Sequence, residues 1–163
     1  MEQTGETANL GVEKAGEVLF LSQVESHANI RAFFPPGTLS PMHASGIGKV
    51  LLAEMDEDRL ARTLALRTLE AFSEHTITDP DELRTDLSQA RERGFAIDQE
   101  EKNIGMRCIA APVFDVYGEA VAGISVSGPT GRVSSENIDG LSKLVISAAQ
   151  QLSTAIGGSG NRN

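Results

Sequence analysis

The sequence predicts an α/β (α+β) fold: a curved antiparallel sheet flanked by helices on both sides. Three observations predict it. Period-2 apolar runs come in adjacent pairs joined by short turn sequences, which is the hairpin pattern and not the strict strand–helix–strand alternation of a parallel sheet. Between and after them lie segments with helical spacing and well-formed ends. The 163 residues carry 40% hydrophobic side chains but only 4% aromatics and no Trp, so one aliphatic core of ordinary single-domain size is expected.

Residues 7–13 alternate and read as a strand, Lys14 to Glu17 as a turn, and Val18 to Val24 as the hairpin partner. Ile30 to Phe34 reads as a third strand, stopped by Pro35-Pro36-Gly37. A helix is expected over Ala44 to Ala53, and another over about Asp56 to Leu66. The best-defined helix has Asp79 as N-cap, Pro80 at its first position, Asp81 and Glu82 at the positive dipole end, and Gly94 past its last turn. Phe95 to Ile97 is a short strand. Cys108 to Phe114 and Ala120 to Ser127 form the strongest hairpin, turning over Asp115 to Gly118. A final helix starts near Ser134-Ser135, with Ile138, Leu141, Leu144, Val145, Ala148, Leu152 and Ile156 on its apolar face. The Gly-rich tail at 159–163 is expected to be disordered.

Composition excludes several functions. A formal charge of −9 makes the chain a poor partner for a phosphate backbone. No apolar run is long enough to span a membrane, and the first residues carry no signal-peptide pattern. A single cysteine leaves no internal disulfide and no multi-cysteine zinc site, and it fits the reducing cytoplasm. No cofactor or metal is implied; a zinc site using His43 and Cys108 has only minimal support.

Three features point to chemistry. If the last hairpin turns at Tyr117-Gly118, facing residues sum to 235, so Cys108 faces Ser127 and Ala110 faces Ser125. Cys108, Ser125 and Ser127 then share one face, while Ile109, Ala111, Val113, Ile124 and Val126 make the core on the other. The serines are either a solvated or locally bonded surface or the polar floor of a ligand pocket. The run Ser45-Gly46-Ile47-Gly48-Lys49 opens a helix with glycines and unpaired amides, either as ordinary capping or as a carboxylate site. It is not a P-loop, because GxxxxGK[ST] is absent. Asp98, Glu100 and Glu101 form an acidic turn, either exposed or with Asp98 accepting a hydroxyl proton from a ligand, and Arg107 is expected to pair with a loop carboxylate or lie exposed. A Cys108–His43 nucleophile pair is the enzymatic alternative.

The blocks Pro41 to Ala53, Gly94 to Glu101, Gly105 to Asp115 and Ile124 to Pro129, in this order and spacing, resemble the effector-binding domain of IclR-family transcriptional regulators over about residues 4–158. The resemblance implies a GAF-like effector-binding domain at 1–158, not an enzyme, in a regulator whose DNA-binding winged helix-turn-helix precedes it and is absent from this chain. It implies a small carboxylate effector of the glyoxylate or pyruvate class, a homodimer or homotetramer, and DNA contact only through the preceding domain. The ligand-binding positions it implies are Gly46, Ile47, Asp98, Cys108, Ser125 and Ser127, with apolar walls near Met42 and Met106. Phe33 to Ser40 departs from the family pattern, so the remaining pocket wall is unassigned.

Overall fold

The structure, a computed structural model, describes residues 1–160. Six antiparallel strands form one curled sheet: β1 (Thr7–Lys14), β2 (Glu17–Val24), β3 (Leu39–Pro41), β4 (Ala96–Gln99), β5 (Met106–Phe114) and β6 (Ala120–Pro129), in the order β3-β2-β1-β6-β5-β4. Its two faces bury different cores. On one, α1 (Gly46–Glu54), α2 (Glu57–Ala65) and α3 (Pro80–Arg93) bury Ile47, Val50, Leu51, Leu60, Leu83 and Leu87 with Val18 and Phe20. On the other, α4 (Ile138–Ala155) lays Leu141, Val145 and Ala149 over Ile109, Ala111, Val113 and Val126.

The last hairpin has the predicted register: Cys108 faces Ser127 and Ala110 faces Ser125. A bulge between Val113 and Phe114 takes up one residue beside the turn, so the pairing nearer the site is undisturbed. The ends of α3 are also as read. Asp79 accepts the amide of Glu82 at 2.9 Å, and Gly94 closes the helix at φ +85° with its N–H on the Ala90 carbonyl.

Four sequence expectations are corrected. Residues 30–34 form no strand, and the third strand is Leu39–Pro41 beside β2. Side chains engage part of this backbone in place of a ladder: Ala32 C=O accepts from the Thr7 hydroxyl, and Phe34 N–H donates to the Gln23 side chain. The α1 helix begins at Gly46, because Met42–Ala44 forms a separate 3₁₀ turn before it. The α4 helix begins at Ile138, since Asn137 folds back to accept the Ser134 amide and holds 134–137 as a turn. Its buried stripe omits Leu144 and Ile156, which are exposed. Of the tail expected to be disordered, 161–163 lie outside the described residues.

Candidate functional site

The start of α1 is pressed onto the sheet where β5, β6 and β1 run side by side. Paired glycines allow it. Gly11 of β1 faces Gly123 of β6, and Ile47 sits over both; a Cβ on Gly123 would lie 2.8 Å from the Ile47 side chain. One residue earlier, a Cβ on Gly46 would lie 2.7 Å from the Cys108 sulfur. Glycine at these positions therefore brings the first helical amides down to the hairpin's polar face.

Those amides precede the first intrahelical bond, from Lys49 N–H to the Ser45 carbonyl. Gly48 N–H is capped by Ser45 Oγ at 3.3 Å, and Gly46 N–H points to the Cys108 sulfur. The amide of Ile47 has no acceptor among the described residues. Around this helix end lies a hollow of about 20 Å³ walled by Phe20, Phe34, Ser45, Gly46, Ile47, Asp98, Lys102, Cys108, Ser125 and Ser127. It continues into a cavity of about 190 Å³ that shares Phe34, Asp98, Cys108 and Ser127 and adds Arg31, Met106 and Arg107.

The structure thus brings together seven of the eight residues singled out from sequence: Gly46, Ile47, Asp98, Cys108, Ser125 and Ser127 around the hollow and Met106 on the adjoining wall. Met42 is the exception. It is buried in the core under α1, its backbone against Gly48, and lines a different crevice with His43 and Leu52. It lies in the 3₁₀ turn before α1, which directs it away from the hairpin. Arg107 is neither exposed nor paired with a carboxylate; its guanidinium donates to the Gln99 side chain at 3.0 Å and to the Val133 carbonyl.

Burial and neighbouring charges shift the ionisable groups of the hollow. Burial, reinforced by the Asp98 charge, pushes the Cys108 thiol up to about 11, against hydrogen bonds from Ser127 and Ser125 that favour the thiolate. Cys108 is a neutral thiol at neutral pH. His43 does not activate it, because its Nε2 lies 2.9 Å from the Glu70 carbonyl and its ring faces Phe72. Burial and the neighbouring Glu101 charge raise Asp98 to about 7, although Glu101 N–H donates to its Oδ1 at 2.8 Å. Lys102, lowered by burial, reaches the rim with its ammonium 2.9 Å from Ser40 Oγ.

Several site residues were not found from sequence. Glu101 belongs to the acidic turn but is buried, and its carboxylate holds the buried ammonium of Lys49, which also reaches Asp86 at 2.8 Å. Phe20, Phe34, Ser40 and Lys102 come from segments with no chemical motif; only the departure of residues 33–40 from the family pattern hinted at a wall there. Among the described residues no group of three His, Cys, Asp or Glu side chains is placed to hold a metal ion. A larger cavity of about 420 Å³ lies on the α4 side, between residues 1–4 and side chains such as Leu144, Ala148 and Val126. Its polar lining comes from residues 2–4, Ser147 and Gln151, with no helix N-terminus and no buried carboxylate, so the smaller hollow is the better candidate site.

A curled antiparallel sheet, helices on both faces and a small polar hollow between a helix N-terminus and the sheet define a GAF-like effector-binding domain. The chain belongs to the IclR family: residues 1–154 match the family model described as bacterial transcriptional regulator IclR C-terminal. It is 59% identical over 153 residues to the HTH-type transcriptional regulator BhcR of Paracoccus denitrificans (strain Pd 1222), covering 94% of this chain and 55% of that protein. It is 38% identical over 160 residues to the transcriptional repressor IclR of Escherichia coli (strain K12), covering 97% of this chain and 58% of that protein. The crystal structure of the Thermotoga maritima IclR superposes with a TM-score of 0.91 at 32% identity, covering 96% of this chain and 64% of that one. The chain spans little more than half the length of these curated relatives, which carry regulator names and not enzyme names. Among the described residues no helix is long and apolar enough to cross a membrane.

Proposed function

We propose that residues 1–158 are the sensing unit of a longer, cytoplasmic transcriptional regulator, and that the hollow binds a small 2-oxo carboxylate of the glyoxylate or pyruvate class. The ligand carboxylate is held at the Ile47 and Gly46 amides, where the helix dipole favours an anion. Ser125 and Ser127 donate to it from the sheet, and the Lys102 ammonium adds positive potential at the rim. The neutral Cys108 thiol donates to the oxo or hydrated-aldehyde oxygen. Asp98 accepts a hydrogen bond from a gem-diol hydroxyl at the end remote from the carboxylate. Met106 bounds the apolar side toward the larger cavity.

The observation that carries this reading is the Ile47 amide, unpaired at a helix start and facing a hollow floored by two serines and a thiol. Glyoxylate has about five heavy atoms, and at a ceiling of roughly 1.5 kcal/mol per atom its binding is capped near ~7.5 kcal/mol. A dissociation constant in the range of a few micromolar or weaker is expected, suited to following metabolite levels. Occupancy is coupled to DNA binding through a rearranged homodimer or homotetramer, with DNA held by a winged helix-turn-helix outside these residues.

The test is calorimetry and thermal shift with glyoxylate, pyruvate and longer 2-oxo acids. A ligand of the native state raises the melting temperature, by an amount that grows with the logarithm of its concentration over Kd. Saturable binding of glyoxylate or pyruvate is expected. No binding anywhere in the panel, by a folded sample, overturns the reading.

A further inference from the structure

Asn9 is the most unusual polar residue of the fold. It is 3% exposed, and neither its amide nitrogen nor its carbonyl oxygen has a hydrogen-bond partner among the described residues. Such an orphan costs stability unless something else engages it. Its position is informative. Asn9 of β1 is paired with Ser125 of β6, two residues along from the Thr7–Ser127 pair, so its side chain leaves the sheet on the face that carries both serines. Ser125, its direct cross-strand neighbour, and Ser127 on the same face both wall the hollow, although Asn9 itself is not among the lining residues. Ile47 covers the Gly11–Gly123 pair in the next row, and Gln23, its partner on β2, holds the amide of Phe34, which stacks on Phe20 at 4.9 Å.

Directly paired side chains on one face have Cβ atoms about 5 Å apart. The Asn9 carboxamide and the Ser125 hydroxyl are therefore neighbours on this face. That carboxamide offers a donor and an acceptor side by side. A lone carboxylate would use only the donor. A carboxylate with a hydroxyl on the adjacent carbon would use both, one oxygen taking the N–H and the hydroxyl donating to Oδ1.

We infer that Asn9 is a further effector-binding residue, selecting a carboxylate that carries a hydroxyl on its α-carbon: a 2-hydroxy acid or the hydrated form of a 2-oxo acid. This rests on the effector reading above and narrows its ligand class. Glyoxylate is largely a gem-diol in water and matches the pattern; pyruvate is largely a ketone and presents an acceptor to the Asn9 oxygen.

The test is calorimetry of glyoxylate and of pyruvate with the 163-residue chain and with its Asn9→Ala and Asn9→Val variants. The first truncates the amide, and the second fills the space with a strand-favouring residue. Circular dichroism and melting curves check the fold. Glyoxylate binding is expected to weaken by about tenfold or more in both variants, the worth of one hydrogen bond to a charged ligand. Pyruvate should lose less than about threefold, and the free variants should melt no more than a few degrees below the parent. If glyoxylate affinity stays within about twofold in a folded variant, or both ligands lose equally, the inference is overturned while the effector reading stands. If the parent chain binds neither ligand, the effector reading fails and the inference falls with it.

Discussion

The ammonium of Lys49 lies 2.9 Å from both carboxylate oxygens of Glu101, with the lysine only 1% exposed. Burial alone would pull the lysine toward neutrality. The charges of Glu101 and Asp86 more than offset that and raise its pKa. The pair ties the middle of α1 to the turn that follows β4, and Glu101 Oε2 also accepts the Gln99 amide at 2.7 Å. Since Glu101 N–H in turn holds Asp98, the ion pair fixes both the helix end and the carboxylate that face the hollow.

Lys49→Met should therefore destabilise the domain by about 3–5 kcal/mol, because it leaves a buried carboxylate without its counter-charge. Urea denaturation measures it. A midpoint equal to that of the parent would contradict the structural role given to this pair.

Ser127→Ala removes one hydroxyl from the floor of the hollow and leaves the strand pairing with Cys108 in place. Effector affinity should drop by about tenfold, with a melting temperature within a few degrees of the parent. Titration calorimetry gives the first value and a thermal melt the second.

Gly46→Ala places a methyl 2.7 Å from the Cys108 sulfur and 3.2 Å from the Ala110 methyl. It should lower stability and block the effector. Combining it with Cys108→Ala removes the sulfur it strikes, so the double variant should recover stability beyond the sum of the single effects, though not binding. A double-mutant cycle of melting temperatures and Kd values tests this.

Stability should vary with pH through Asp98. Its folded pKa is raised to about 7 from an ordinary carboxylate value. Between about pH 4 and 7 the native state keeps a proton that the unfolded chain has released, so stability falls as pH rises through this window and levels above it. Asp98→Asn should flatten that slope. An anionic effector should also bind less tightly above about pH 7, where Asp98 carries charge. Melting curves and titrations from pH 5 to 8 distinguish the parent from the variant.

Cys108, raised to about 11, should alkylate slowly. Its thiolate fraction near neutral pH is lower than that of a free cysteine by about a hundredfold. Iodoacetamide labelling followed by mass spectrometry should show much slower modification than for a small-molecule thiol, and fast labelling would reopen a nucleophilic role.

Much of the site was legible because it lies on locally determined elements. The hairpin from Cys108 to Ser127 fixes which side chains share a face through a period of two and a short turn, and the bulge at Val113/Phe114 lies too near the turn to disturb it. The N-terminus of α1 could be read from Ser45 and the glycines, although its first residue was misplaced by two. The segment 30–34 misled, because apolar β-formers beside two prolines satisfy the strand pattern, while their backbone partners, Thr7 and Gln23, lie far along the chain.

The sequence by itself determined the alternation of strands and helices, the capped ends of α3, the face shared by Cys108, Ser125 and Ser127, and the family. Local spacing and backbone sterics govern the elements, the caps and the shared face; the family rests on the resemblance of the motif blocks. Only the tertiary structure decided that Glu101 is buried on Lys49, that Phe34 and Lys102 close the hollow, that Met42 lies outside it, and that Asn9 stands orphaned beside Ser125. These depend on which distant segments pack together, and packing is set by the whole core and not by any window of neighbouring residues.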